Sequence, residues 1–191
     1  VWEYAGGGNH MVRSSISYTL GSEVEQLALT GLAALTGTGN ALANNMFGND
    51  GDNVLSGLAG NDTLSGGNGA DVLIGGTGQD IMTGGAGADE FVFADGDFGA
   101  LHYLYADRIT DFSQAQGDRI RLSGVDAIAG GSDDAFTFIG TGAFTGVAGQ
   151  LRYGVTAGNT VIYGDTNGDG IEDLMITLTG THALTGSDFF Q

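Results

Sequence analysis

The sequence has no cysteine, no proline and no lysine. Without cysteine no disulfide framework exists, and the redox compartment goes unread. Without proline the turns rest on Gly, Asn and Asp, and no slow prolyl isomerisation step arises. With no lysine, the 5 basic residues are all Arg; they face 23 acidic residues, for a net charge of −18. So acidic a chain repels phosphate backbones, which argues against nucleic acid and anionic membrane surfaces as partners. Its natural counter-ion is a cation. No apolar run approaches the ~20 residues of a membrane span, so no membrane insertion is expected. No N-terminal signal peptide is seen either. The chain opens on Val1-Trp2-Glu3-Tyr4, which reads as a strand without an initiator Met, so a fragment with an upstream portion is expected. Catalytic signatures are also missing: neither H-E-x-x-H nor G-x-S-x-G occurs, and His10, His102 and His182 have no histidine partner at i+4. No intrinsic enzyme activity is expected of this chain.

What is present is glycine and aspartate. Gly is the commonest residue at 37 of 191, and hydrophobic residues make up 41%, too many for a disordered acidic tail. From Gly48 the chain can be written in nines as GNDGDNVLS, GLAGNDTLS, GGNGADVLI, GGTGQDIMT and GGAGADEFV, with a weaker copy, GNALANNMF, from Gly39. Position eight is always apolar: Met46, Leu55, Leu64, Leu73, Met82, Phe91. Position six is Asn44, Asn53, Asp62, Asp71, Asp80 and Asp89. A helix is excluded, because three Gly in a repeat would cost roughly 2–3 kcal/mol relative to Ala. A short strand with one inward side chain, followed by a sharp six-residue turn, fits each unit. No unit can bury a core alone, so consecutive units must stack.

The turn explains the glycines. Several positions need positive φ, which Gly supplies without a Cβ clash, and bare carbonyls can then converge on one centre. With the position-six carboxylate they form a hard-oxygen site suited to Ca²⁺ more than Mg²⁺. If each unit is half a coil, each loop stacks on the loop eighteen residues later, and each ion lies between two loops. This pairs Asn53 with Asp71, Asp62 with Asp80 and Asp71 with Asp89, with Asn44 and Asp62 a weaker pair. The expected ligands are Asn53, Gly60, Asp62, Gly67, Gly69, Asp71, Gly76, Gly78, Asp80, Gly85, Gly87 and Asp89. Asp107, eighteen residues after Asp89 in a loop without the glycines, is a marginal addition. About three to five Ca²⁺ ions are expected in the roll. The pattern matches G-G-x-G-x-D-x-U-x, the known calcium-binding repeat of RTX proteins.

A second candidate is DTNGDGIED, Asp165–Asp173, in which Asp165, Asn167, Asp169 and Asp173 hold positions 1, 3, 5 and 9 of an EF-hand-style loop. Position 12 is Ile176 and the flanks read as strands, so the alternatives are a hairpin loop holding one more ion and a plain polar turn. Gly6-Gly7-Gly8-Asn9-His10 reads as a degenerate repeat with His10 where Asp belongs: a metal ligand, or a decayed site. Val12–Gly31 is β-rich and would cap or extend the roll.

From about Gly48 onward, the repeats, then ADEFVF, DRITDFSQAQGDRIRLSGVDA, AFTFIGTGAFTGVAGQLRY and GDTNGDGIEDLMITLTGTHALTGSDFF, resemble the C-terminal domain of serralysin-type secreted metalloproteases. The resemblance implies an all-β fold: a right-handed parallel β-roll running into a β-sandwich-like C-terminal cap. The divisions expected are a β-rich extension over 1–46, a calcium β-roll over 47–93 and a cap carrying a secretion signal over 94–191. The terminal Asp188-Phe189-Phe190-Gln191 is similar to the family's secretion terminus. It further implies a calcium-dependent folding and type I secretion module of a secreted bacterial protein, an extracellular hydrolase whose catalytic domain is absent here, its partners Ca²⁺ and the secretion machinery. The alternative is a calcium-binding, substrate-holding module like those of mannuronan epimerases. Trp2 and scattered Tyr are the stacking residues a carbohydrate would find, and 5 Arg make a poor basic stripe for an anionic one. Strands are expected at Phe136–Ile139, Leu151–Tyr153, Thr160–Tyr163 and Leu174–Leu178, with the later segment covering outer-face Val72, Ile74 and Ile81 of the roll.

Overall fold

The computed structural model describes residues 8–98, 102–130 and 134–190. The strand expected at Val1–Tyr4, with Trp2, and the glycines Gly6 and Gly7 lie outside the described residues. The roll contains β1 (Met11–Ser14), β2 (Tyr18–Thr19), β3 (Gln26–Leu29), β4 (Thr36–Thr38), β5 (Asn45–Phe47) and β6 (Val54–Ala59). It continues with β7 (Thr63–Asn68), β8 (Val72–Thr77), β9 (Ile81–Ala86), β10 (Glu90–Ala94), β11 (Asp107–Ile109) and β12 (Arg119–Gly124). Beyond it lie β13 (Thr137–Phe138), β14 (Gln150–Thr156), β15 (Asn159–Asp165), β16 (Leu174–Leu178) and β17 (Phe189–Phe190).

Odd and even strands of the roll separate into two sheets, and within each the roll strands pair in parallel. One runs β1-β3-β5-β7-β9-β11-β16-β15-β14-β13, the other β17-β12-β10-β8-β6-β4-β2. Each repeat is therefore half a coil, and strands pair with the strand eighteen residues later: Val54 with Val72, Thr63 with Ile81. The single inward apolar side chain of each repeat makes the core. Leu27, Met46, Leu64, Met82 and Ile109 align across one sheet, and Leu55, Leu73, Phe91 and Ile120 across the other, all fully buried. Each such burial contributes about 1.5–3 kcal/mol, and none is available to a coil without neighbours. Gly37 stands in this row where a Cβ would lie 2.9 Å from Leu27 and 3.0 Å from Leu55, so the narrow N-terminal coils close only over hydrogen there.

Val12–Gly31 extends the roll with β1, β2 and β3 in the same two sheets. The C-terminal strands β16, β15 and β14 turn antiparallel but also join the first sheet edge to edge, through β11 and β16. The two-sheet cap is thus a continuation of the roll's own sheets. This corrects the expected cover over the roll's outer face: the later strands continue the two sheets edge to edge, and of the three outer-face residues Ile81 stays 42% exposed while Val72 and Ile74 are half-buried. Phe189 closes the second sheet beside Ile120, with Asp188 accepting from Thr185 N–H and Gln114 Nε2.

Candidate metal centre

Stacking two half-coils per turn puts the position-six side chains into two columns. One contains Asn44, Asp62, Asp80 and Asp107; the other contains Asn53, Asp71, Asp89 and Asp118. Within a column each residue's backbone N–H donates to Oδ1 of the next carboxylate. Asn44 donates to Asp62 and Asp62 to Asp80, both at 2.7 Å, and Asp80 to Asp107 at 2.8 Å. In the other column Asn53 donates to Asp71 at 2.7 Å, Asp71 to Asp89 at 2.9 Å and Asp89 to Asp118 at 3.1 Å. These bonds account for one oxygen of each carboxylate. The second oxygens of Asp62, Asp71, Asp80 and Asp89 are buried and accept no hydrogen bond.

An unpartnered buried oxygen of this kind costs about 1–3 kcal/mol, more when charged. Four of them in one structure call for a partner. No arginine reaches them: the described ion pairs are Arg121 with Glu90 and His10 with Glu25. Burial pushes the carboxyls up, to about 6 for Asp62, Asp71 and Asp89 and about 7 for Asp80, against a backbone N–H that lowers each. Asp107 rises to about 8 for the same reason, and Asp118 also rises.

The glycines make the cradle. A Cβ on Gly57 would overlap Asp62 Oδ2 and stand 2.7 Å from Gly75 O; one on Gly66 would overlap Asp71 Oδ2 and stand 2.6 Å from Gly84 O. A carboxylate oxygen of one loop and a carbonyl of the loop stacked on it, eighteen residues later, thus converge on a point that only a glycine leaves open. Ca²⁺ takes oxygen ligands at about 2.3–2.6 Å, so the donor set fits it. Among the described residues no three acidic or histidine side chains gather at one point, as expected where backbone carbonyls supply most ligands. Gly60, Gly69, Gly78 and Gly87 at position four, and Gly67, Gly76 and Gly85 at position two, have φ between +94° and +141°. Leu58 fills position two of its loop at φ +77°, a conformation costly for a branched side chain.

Asp107 is placed differently from expectation. The connection between β10 and β11 breaks the nine-residue beat, so Asp107 stacks on Asp80, not on Asp89. The partner of Asp89 is Asp118, with Asp111 beside it: Asp111 accepts from Gly84 and Gly85 N–H at 3.0 and 2.8 Å. Sequence reading missed both Asp111 and Asp118. For Asp118 a signal existed: Asp118-Arg119-Ile120 repeats the spacing of position six to position eight.

Asn53 is brought to its column but with both side-chain polar atoms engaged, Oδ1 accepting from Asn49 N–H and Nδ2 donating to Asn49 Oδ1. In the 165–173 loop, Asp165 accepts from Gly168 and Gly170 N–H, Asn167 from Asp169, Asp169 from Ile171, and Asp173 from Thr166 and Asn167. Those carboxylates are held by the loop's own donors. His10 N–H donates to Glu25 Oε2, which continues the first column's pattern with a longer acid.

The family model described as Peptidase M10 serralysin C terminal matches residues 42–191. No curated protein matches the sequence. Among solved structures, the AlgE6R3 subunit of the Azotobacter vinelandii mannuronan C5-epimerase is similar at a TM-score of 0.54 and 27% identity, covering 78% of each chain. The AlgE6R2 subunit of the same enzyme is similar in fold, at a TM-score of 0.51 and 23% identity, over 97% of this chain and 93% of that one.

Proposed function

The chain belongs to the peptidase M10 serralysin C-terminal family, a calcium-binding repeat module of the kind enzymes carry, and from that premise we propose a calcium-operated folding and export module of a secreted protein. The observation that carries the proposal is the set of buried, unpartnered oxygens on Asp62, Asp71, Asp80 and Asp89, each facing a glycine cradle. Carbonyls and carboxylates of successive loops would hold Ca²⁺, with Asp107, Asp111 and Asp118 closing the C-terminal ends of the two columns. The ion supplies charge compensation. The chain's residues supply the stacked loops that exist only when the roll is folded.

The physical consequence is a switch. Where free Ca²⁺ is scarce, the columns of ionised carboxylates oppose stacking, and the chain stays extended enough to thread a type I exporter. Outside the cell, Ca²⁺ stabilises the folded state alone, by about 2.7 kcal/mol per site at a hundredfold excess over Kd. Several such sites match the whole stability of an ordinary domain. Circular dichroism in excess chelator, then on titration with Ca²⁺ to millimolar, tests the switch: cooperative gain of β structure is expected, and a chain fully folded without metal would refute it. Export is tested by joining a passenger protein to this chain in cells with a type I exporter, where the passenger should reach the medium.

The likeness to AlgE6R3 favours a second reading, a module that holds a polysaccharide for an attached enzyme. The charge balance opposes it for an anionic chain: 5 Arg face 23 acidic residues, Arg121 is paired with Glu90, and Arg119 and Arg152 lie over the Phe190 and Tyr163 rings. Calorimetry with oligomannuronate in saturating Ca²⁺ separates the readings.

A further inference from the structure

The repeat has two loop types, distinguished by their backbone at positions two and four. In the loops from Gly57, Gly66, Gly75 and Gly84, position two (Leu58, Gly67, Gly76, Gly85) and position four both have positive φ. In the loops from Gly39 and Gly48, position two is Asn40 or Asn49, and neither these nor Leu42 and Gly51 at position four enter that region. Asparagine tolerates positive φ better than most residues, so the difference is a different loop and not a forbidden one.

The consequence lies in the cradle. In the second loop type the position-two backbone N–H turns onto the position-six amide oxygen, Asn40 to Asn44 at 2.8 Å and Asn49 to Asn53 at 2.7 Å. The position-two side chain completes the exchange. Asn40 Nδ2 donates to Gly21 O and Val24 O, both at 2.7 Å, and Asn49 Nδ2 donates to Ala33 O at 3.0 Å. Asn44 and Asn53 donate in turn to Asn40 Oδ1 and Asn49 Oδ1, at 3.2 and 3.0 Å. Donors therefore stand where the aspartate loops leave bare oxygens, and Asn44 and Asn53 leave no side-chain oxygen or nitrogen unpartnered.

We infer that the Asn40–Asn44 and Asn49–Asn53 pairs replace the cation with amide and backbone N–H donors, so that these two coils form a metal-free N-terminal segment of the roll. The inference rests on the calcium reading of the aspartate loops. It makes Asn53 a substitute for an ion and not a ligand to one. A neutral donor pair fits a carbonyl-lined cradle without ionised carboxylates, so these coils need no Ca²⁺ to stack.

The test is the number of Ca²⁺ ions bound by the full chain, counted by native mass spectrometry at saturating Ca²⁺. The double variant Asn49→Gly with Asn53→Asp turns the coil into the complete G-G-x-G-x-D pattern and should bind one ion more than the wild type. Asn53→Ala should bind the wild-type number. If Asn53→Ala fails to fold, the double variant alone decides, since it restores the residues the other loops already carry. An ion lost in Asn53→Ala, or no ion gained in the double variant, overturns the inference and leaves the calcium reading standing. A wild-type chain that binds no Ca²⁺ overturns both.

Discussion

Replacing Asp71 with Asn should change stability in opposite directions with and without calcium. Asp71 lies in the middle of its column, with Oδ1 accepting from Asn53 and Oδ2 buried and unpartnered. Burial first, then the Asp89 and Asp52 charges, raise its carboxyl from 3.8 to about 6. Ionising it in the metal-free fold at pH 7.5 therefore costs about 3 kcal/mol beyond the unfolded chain, or about 1–2 kcal/mol once solvent screening is allowed for. Asp71→Asn removes that cost and keeps the Oδ1 acceptor, while its new amide faces Gly84 O. In chelator the variant should be more stable by about 1–2 kcal/mol, a rise of about 2–8 °C in Tm for a chain of this size. In Ca²⁺ at a thousandfold excess over Kd the lost site forfeits about 4 kcal/mol, so the variant should be less stable by about 2–3 kcal/mol. Thermal melts in chelator and in Ca²⁺ measure both. If the chelated wild type is unfolded, an excluded osmolyte in both samples restores a transition. A shift of the same sign in both conditions would refute the reasoning, because a purely structural Asp71 has no cause to reverse.

Protons should substitute in part for calcium. The carboxyls of Asp62, Asp71, Asp80, Asp89 and Asp107 are raised from 3.8 to between about 6 and about 8. Their stabilising contribution is complete below pH 3.8 and is lost as pH rises through those values; urea melts in chelator should show stability falling between pH 5 and 8, and a flat or rising profile would count against it. Gly78→Ala places a side chain at φ +138° and into Gly60 O of the stacked loop, so denaturation should reveal a loss above about 2 kcal/mol even in saturating Ca²⁺. Leu58→Gly relieves φ +77° at a side chain 48% exposed and should raise stability by about 0.5–1 kcal/mol in the same assay.

The nine-residue beat was legible because two needs recur on it, an inward apolar group and a turn that only glycine can make. From Met46 to Phe91 the spacing alone gives the strands, the eighteen-residue stacking and the column order. Legibility stops where the beat stops. The register of Asp107 depends on how the chain between Ala94 and Asp107 is accommodated, and no local pattern encodes that. Asp118 carries the right local spacing but no glycine pair before it, so its place beside Asp89 follows from the sheet and not from the loop. Asn53 illustrates a different limit. An amide oxygen at position six reads as a calcium donor, and only the backbone at Asn49 reveals that its oxygen is already taken. The terminal strands were legible by composition, while their edge-to-edge junction with the roll through β11 and β16 is a long-range pairing.

The most direct measurement is a crystal structure grown in Ca²⁺, with anomalous difference density locating the ions. Peaks beside Oδ2 of Asp62, Asp71, Asp80 and Asp89, between the stacked loops of each column, are the predicted result. A calcium-saturated crystal with those oxygens hydrogen-bonded to protein or water, and no peak between the loops, would contradict it.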